Sequence, residues 1–221
     1  MPGILAKDIE FIVHSYFREQ FRAKDIQWRP AGVPVDQERE ATERNSNAAT
    51  RLSQTEEQSI SSFIYILNKL SNDFRSSIES YNELRDKVET VVNNLDSTLE
   101  PDRLDEGGYI IFIGIADHLF TEGIKWSSIL TLFVFTFELA LEFYHIKNDQ
   151  VIVESIAGWL INYVSARLLD WMNNHGGFNG LIEYSNQPNT TNFSDLRFWK
   201  TAALVGGILA FISISMQILH Q

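Results

Sequence analysis

Apolar residues recur every three or four positions along much of this chain, which is the spacing of amphipathic helices. In residues 4–22 the apolar side consists of Ile9, Ile12, Val13, Tyr16, Phe17 and Phe21. A second stripe predicts a helix that begins near Thr55, whose hydroxyl would cap it; its apolar positions are Phe63, Leu67, Leu70, Phe74 and Ile78. Further helices are predicted over residues 82–95, 109–120, 151–169, 171–175 and 178–184.

The segment 126–144 is the most apolar part of the predicted bundle. Apolar residues lie on every side of it for three turns, so we expect other helices to surround it. Glu138 and Glu142 lie one turn apart within it, which would make permanent insertion into a membrane costly. No alternation typical of strands is found. The sequence therefore predicts an all-α fold in which amphipathic helices surround a central hydrophobic hairpin.

Residues 201–219 form a run of 19 positions without a charge. A helix of that length spans about 28 Å, close to the thickness of a bilayer core. Arg197 and Lys200 stand before it beside Phe198 and Trp199, as at a membrane interface. A buried core helix is the alternative, but the polar residues 186–194 separate this run from the bundle. We therefore expect a C-terminal transmembrane anchor that leaves the rest of the protein in the cytosol.

These patterns divide the chain into five parts. Residues 1–28 form an N-terminal helix, 29–55 a mobile polar loop, and 56–185 the remainder of the helical bundle. Residues 186–197 form a linker, and 198–221 the membrane anchor. The order places every long amphipathic segment before the anchor, so we expect a single helical domain on one side of the membrane.

Composition and residue spacing argue against catalytic, metal-binding and nucleic-acid-binding sites. The chain has 221 residues, a net charge of −11 and no Cys. Disulfides and thiolate sites are therefore excluded, and nucleic acid is not an expected partner because phosphates must be neutralised by Lys and Arg. The five His are scattered, and the Gly pairs lack the flanks of a phosphate loop. We expect no enzyme activity, no cofactor and no metal site.

Three stretches resemble the Bcl-2 family. Residues 118–135, HLFTEGIKWSSILTLFVF, are similar to its first homology motif, and residues 8–28 to its fourth. Residues 171–184, WMNNHGGFNGLIEY, resemble the second motif. In that motif the matching residues are Trp171, Gly176, Gly177 and Phe178. The resemblance covers nearly the whole chain and implies a Bcl-2-like helical bundle.

The family's third motif, the death-motif helix, has four apolar positions with a small residue and Asp before the last. Here these positions correspond to Phe63, Leu67, Leu70, Ser71, Asn72 and Phe74. Asn72 thus stands where the family has Asp. In the first motif Ser128 stands where the family has an Arg that pairs with the ligand's Asp, and Lys125 lies three residues away.

The resemblance implies an apolar groove that accepts an amphipathic death-motif helix from a pro-apoptotic partner. The expected groove residues are Phe74, Ile78, Ile115, His118, Leu119, Lys125, Trp126, Ser128, Leu130, Thr131 and Phe135. Ordinary core packing is the alternative for each of them. The resemblance further implies a mitochondrial outer membrane protein facing the cytosol, with the endoplasmic reticulum as the alternative membrane.

Three functions remain open on the sequence. The favoured one is a pro-survival regulator of mitochondrial apoptosis, because Asn72 makes the third motif a poor ligand for other grooves. The alternatives are a Bak-like effector that forms oligomers and permeabilises the outer membrane, and a tail-anchored adaptor without a role in cell death. Homo- or hetero-oligomers and membrane lipid are also expected partners.

Overall fold

The computed structural model describes residues 4–30, 50–76, 78–98 and 103–186. Within these ranges the regular structure is helical, as the sequence predicts. The helices are α1 (Ala6–Arg22), α2 (Thr50–Ser76), α3 (Ile78–Thr98), α4 (Leu104–Leu119), α5 (Trp126–Lys147), α6 (Gln150–Tyr163), α7 (Leu169–Asn174) and α8 (Gly177–Ser185), with a π-helical turn at Val164–Leu168 that joins α6 to α7.

Some predicted boundaries differ from those observed. Helix α2 begins at Thr50, so Thr55 lies inside the helix and residues 50–55 are not part of a loop. Residues 31–49 of the predicted loop lie outside the described residues, as do 187–197 of the predicted linker and the whole predicted anchor 198–221. Helices α3 and α4 also begin several residues before the predicted positions. Polar and acidic first turns hide such starts, because an apolar stripe marks only the packed part of a helix.

Helix α5 occupies the centre of the bundle and packs against α1, α2, α3, α4 and α6. Phe133, Phe137 and Phe143 are among its fully buried side chains. By length and composition alone, α5 and the continuous stretch Gln150–Asn174 are both apolar enough to cross a membrane. Because 78% of the apolar window of α5 is buried inside the protein, core packing accounts for its composition.

A tight turn makes α5 and α6 a hairpin. Asn148 adopts a left-handed conformation (φ 50°), and its N–H donates to the carbonyl of Tyr144 at 2.7 Å. The Asp149 side chain then accepts a hydrogen bond from Val151 N–H at 2.8 Å and so caps α6. The predicted hydrophobic helix pair is therefore confirmed.

The corner between α7 and α8 depends on glycine. Two adjacent glycines in a sequence favour a backbone with positive φ, and Gly176 and Gly177 both have it, at 88° and 58°. At Gly180 an added Cβ would lie 1.9 Å from the carbonyl oxygen of His175, a backbone atom that cannot move aside on its own. Close backbone approach thus explains the third glycine of the segment.

Asn173 ties the N-terminus to this corner. Its Oδ1 accepts from the N–H of Ile4 at 2.6 Å, and its Nδ2 donates to the carbonyl of Ile4 at 3.1 Å. The entry to α1 is closed by Asp8, whose carboxylate accepts from Leu5 N–H at 2.8 Å. The first and last described parts of the bundle are therefore joined by direct hydrogen bonds.

Candidate functional site

Most of the apolar residues expected to line the groove lie on α4 and α5. Ile115 and Leu130 are 0% exposed, Phe135 is 3% exposed and Leu119 is 8% exposed. All four belong to the continuous hydrophobic core. In this conformation, therefore, they are closed off from solvent, and a ligand helix could reach them only after a neighbouring element moved.

The polar residues expected at the groove are more accessible. His118, Ser128 and Thr131 are partly exposed, and Lys125 is exposed. Lys125 Nζ lies 3.7 Å from Glu122 Oε2, and Thr131 Oγ1 donates to the carbonyl of Ser127 at 2.8 Å. The end of α4 and the first turns of α5 thus present a polar rim beside the buried apolar anchors.

Helix α3 packs on both helices that carry those anchors. Its buried side is formed by Val88, Val91, Val92 and Leu95. Near its end, the Asp96 carboxylate pairs with the ammonium group of Lys147 on α5. Phe74, Ile78 and Leu70 belong to helical backbone, but their side chains lie outside what the structure describes. Among the described elements, α3 and α6 therefore both pack on α4 and α5 and restrict access between them.

The death-motif face of α2 points into the bundle. Phe63, Leu67 and Ser71 are 0% exposed, whereas Asn72 is exposed. The Phe63 ring meets Phe133 of α5 and Phe178 of α8 edge-on, with ring centres 6.0 and 5.5 Å apart. Phe63 and Leu67 of the motif are thus part of the protein's own core.

A buried hydroxyl pair joins this face to α1. Ser71 Oγ donates to the carbonyl of Leu67 at 2.8 Å, so the 2.6 Å contact with Tyr16 is made by the Tyr16 hydroxyl as donor. Burial raises the pKa of Tyr16 well above its ordinary value, which keeps the phenol protonated. The small residue of the third motif therefore has a second role as a hydrogen-bond acceptor.

Polar contacts inside the bundle are the feature that sequence patterns missed. Arg75, directly after the death motif, binds Glu138 of α5 and the side-chain oxygen of Gln20 of α1. A carboxylate in the middle of an apolar helix was the one signal, because such a group must either pair with a cation or stay protonated. Helical periodicity could not identify Arg75 as that cation, since the pairing joins residues 63 positions apart.

Glu142, one turn after Glu138, is the other buried acid of α5. Burial raises the pKa of Glu142, and the nearby carboxylates of Glu89 and Glu138 add to the rise, while Arg85 and Lys24 oppose it; together these effects bring the pKa to about 7. Burial also lowers the pKa of Lys24. The core of the bundle thus contains an acid that titrates near neutral pH.

The second-motif residues form a packing corner. Trp171 stacks on His175 with ring centres 3.9 Å apart and meets Trp126 edge-on at 5.3 Å. Burial raises the pKa of Tyr184, while its hydrogen bond with Ser127 opposes the rise. These contacts fix α7 and α8 against the start of α5, beside the polar rim.

An open cleft of about 640 Å³ lies elsewhere, between α1 and α2. Exposed Phe11 and Tyr65 stand at it. None of the residues expected to line the groove on α4 and α5 contributes to this cleft; its lining consists of Phe11, Ser15, Arg18, Glu19, Gln20, Arg22, Ala23, Ser61, Ile64, Tyr65, Asn68 and Asn72.

Comparison with known sequences points to one family. Residues 77–178 match the family model for "Apoptosis regulator proteins, Bcl-2 family". Apoptosis regulator BAX of cattle is 27% identical over 137 residues, which cover 59% of this chain and 66% of BAX. Human Bcl-2-like protein 1 is 33% identical over 75 residues, covering 34% of this chain and 32% of that protein. The matches thus span just under two thirds of BAX and about one third of Bcl-2-like protein 1.

Solved structures share the fold. Trichoplax adhaerens trBcl-2L2, crystallised with trBak BH3, superposes with a TM-score of 0.54 at 17% identity, covering 83% of this chain and all (100%) of that one. Chicken BOK gives a TM-score of 0.53 at 16% identity, with 81% and 95% of the two chains covered. The predicted Bcl-2-like helical bundle is therefore confirmed. Proteins of this family are apoptosis regulators rather than enzymes. The sequence match over residues 77–178 and the common fold together show that this chain is similar to proteins of the Bcl-2 family.

Proposed function

We propose that this protein is a pro-survival member of the family, which sequesters the amphipathic death-motif helix of a pro-apoptotic partner between α4 and α5. The observation that carries the proposal is the state of its own third motif. Phe63, Leu67 and Ser71 are fully buried, and Asn72 replaces the acidic residue of the family pattern. A helix whose motif face is buried and whose acidic position is occupied by Asn is poorly suited to act as a ligand for other grooves.

The fold supports the receiving role. A structural neighbour with the same architecture, trBcl-2L2, was crystallised with a BH3 segment of trBak. In this chain the expected apolar anchors are covered, so binding would require a neighbouring helix, which we propose is α3, to move away from α4 and α5. An amphipathic ligand helix would then supply the apolar contacts that α3 gives up.

The charge at the groove would differ from the family pattern. Ser128 offers no cation, and Lys125 is an exposed residue already near Glu122. Exposed ion pairs contribute only about 0–1 kcal/mol. Ligand affinity would therefore rest mainly on Ile115, Leu119 and Leu130 rather than on a pair with the ligand's Asp.

Residues 201–219 would hold the protein at a membrane as a C-terminal anchor. Their 19 positions without a charge support this proposal, and the outer mitochondrial membrane is the proposed location. The helical domain would then face the cytosol, where ligand helices are available. The endoplasmic reticulum is the alternative location.

Peptide binding tests the groove. The full chain, solubilised in mild detergent, is titrated with a death-motif peptide that carries the motif Asp and with a matched peptide carrying Asn. Ser128→Arg should strengthen binding of the Asp peptide by up to about fivefold and leave the Asn peptide unchanged. Lys125→Ala is the matched charge control and should weaken the Asp peptide less than Leu119→Glu does. Absence of binding by the parent chain would contradict the groove and favour the adaptor.

A Bak-like effector is the second candidate function. The match with BAX covers 59% of this chain, whereas the match with human Bcl-2-like protein 1 covers 34%. An effector would swing α2 outward and form oligomers in the membrane. Release of dye from liposomes distinguishes the two: a pro-survival protein should suppress release caused by a known effector, while an effector should cause release itself when an activating peptide is added.

A further inference from the structure

A polar cluster joins three helices at the end of the death motif. Arg75, near the end of α2, donates to Glu138 Oε1 from Nη2 at 2.9 Å and from Nε at 3.3 Å. The Arg75 and Glu138 side chains are 17% and 1% exposed. Arg75 Nη1 also donates to the side-chain oxygen of Gln20 on α1, and its guanidinium lies 5.3 Å from the centre of the Phe137 ring. One side chain of α2 is thus bound to both α1 and α5.

The same face of α2 carries two further polar contacts to α1. Gln20 Nε2 donates to Asn68 Oδ1 at 2.5 Å, which orients the amide so that its oxygen faces Arg75. Ser71 accepts from Tyr16 at 2.6 Å. Asn68, Ser71 and Arg75 follow one another at intervals of three and four residues, so they lie on one side of the helix. Side-chain hydrogen bonds therefore join α2 to α1 along the interface between the two helices.

The burial of Glu138 determines how much free energy is needed to separate α2 from α1 and α5. Removing one member of a buried ion pair leaves a charge without its partner in a low-dielectric interior, which is strongly unfavourable. The Glu138 carboxylate is bound by Arg75 of α2, so departure of α2 would let water reach it. Without Arg75 the closed state keeps a buried carboxylate that has lost these bonds, and opening relieves that cost. Replacing both members by apolar residues of similar size removes the unpaired charge and is often close to neutral.

We propose that the pair of Arg75 and Glu138 is a clamp that holds α2 against α1 and α5, so that breaking this pair controls exposure of the death-motif face. The clamp acts on the chain's own third motif. It is therefore independent of whether the space between α4 and α5 binds a partner helix.

Reporter thiols provide the test, because the natural chain has no Cys. Ser71→Cys places a thiol on the buried face of α2, and Ala157→Cys places one on α6; both positions are 0% exposed. Labelling rates are measured in the full chain, in each reporter background, with and without Arg75→Met. We expect Arg75→Met to accelerate labelling at position 71 by about tenfold or more and at position 157 much less.

Two further variants separate the clamp from general stability. The double change Arg75→Met with Glu138→Met should label at position 71 more slowly than Arg75→Met alone, because no charge is left unpaired. Arg103→Met removes an arginine that is 55% exposed at the start of α4 and should leave both rates near those of the parent. Equal acceleration at positions 71 and 157, an unchanged rate at 71, or a double variant as fast as the single one would each overturn the proposal.

Discussion

At the residue scale, Glu142 is a carboxylic acid retained inside a helix bundle. The pKa of Glu142 rises from 4.5 to about 7 on burial, so the folded protein binds more protons than the unfolded chain between those pH values. Stability contributed by the neutral carboxyl is therefore lost as pH rises through this window. Glu142→Gln should make the protein more stable than the parent at pH 8, by up to about 3 kcal/mol, and by little at pH 4.5.

Denaturant unfolding at the two pH values measures this difference. Glu106→Gln is the control, since Glu106 is exposed and pairs only loosely with Arg103, at 3.4 Å. A gain from Glu142→Gln that is equal at both pH values would show that titration of Glu142 does not affect folding.

Gly177 occupies a position whose backbone conformation favours glycine. Its φ is 58°, and an added Cβ would meet the Ile4 side chain at an ordinary 3.7 Å, so conformation rather than space limits substitution. Gly177→Val should destabilise the domain by about 1–2 kcal/mol, because a branched side chain disfavours the left-handed region. Gly177→Asn should cost less, since Asn adopts this region more readily. Thermal unfolding of the two variants tests the idea, which fails if Val and Asn have equal effects.

At the element scale, movement of α3 is the step that we propose would make the predicted groove accessible. It packs on α4 and α5, and Asp96 ties its last turns to Lys147. The burial of the apolar anchors also limits what core mutations can show about binding. Leu130 is fully buried, so Leu130→Ala would remove stability of about 2–5 kcal/mol whatever its role in binding. Changes at the rim of the groove or at the contacts of α3 are therefore more informative than changes at its apolar anchors.

Weakening the attachment of α3 should favour ligand binding. Asp96→Asn removes a partly exposed ion pair worth about 0–1 kcal/mol, so the affinity for a death-motif peptide should rise by up to about fivefold. Arg103→Gln is the control, because it removes an exposed pair at the start of α4. Isothermal titration of both variants compares them. Weaker binding by Asp96→Asn would show that α3 supports the ligand site rather than covering it.

At the scale of the whole molecule, the expected outcome of truncation is a change of compartment. Deleting residues 201–221 removes the uncharged run 201–219, so the protein should move from the membrane pellet to the supernatant after cell fractionation. Placing Lys at positions 207 and 210 instead keeps the chain length and should have a similar effect, because two charges near the bilayer centre oppose insertion. Pelleting of all three proteins to the same extent would contradict the anchor.

The sequence by itself determined the helical class, the central position of residues 126–144 and the glycine corner at Gly176 and Gly177. These features are local: apolar periodicity and turn residues report which side of a segment is packed and where the chain must bend. Only the tertiary structure decided that Ile115 and Leu130 are covered, and that Arg75 is the partner of Glu138. Contacts between residues distant in sequence depend on how whole helices pack, and no spacing rule along the chain encodes them.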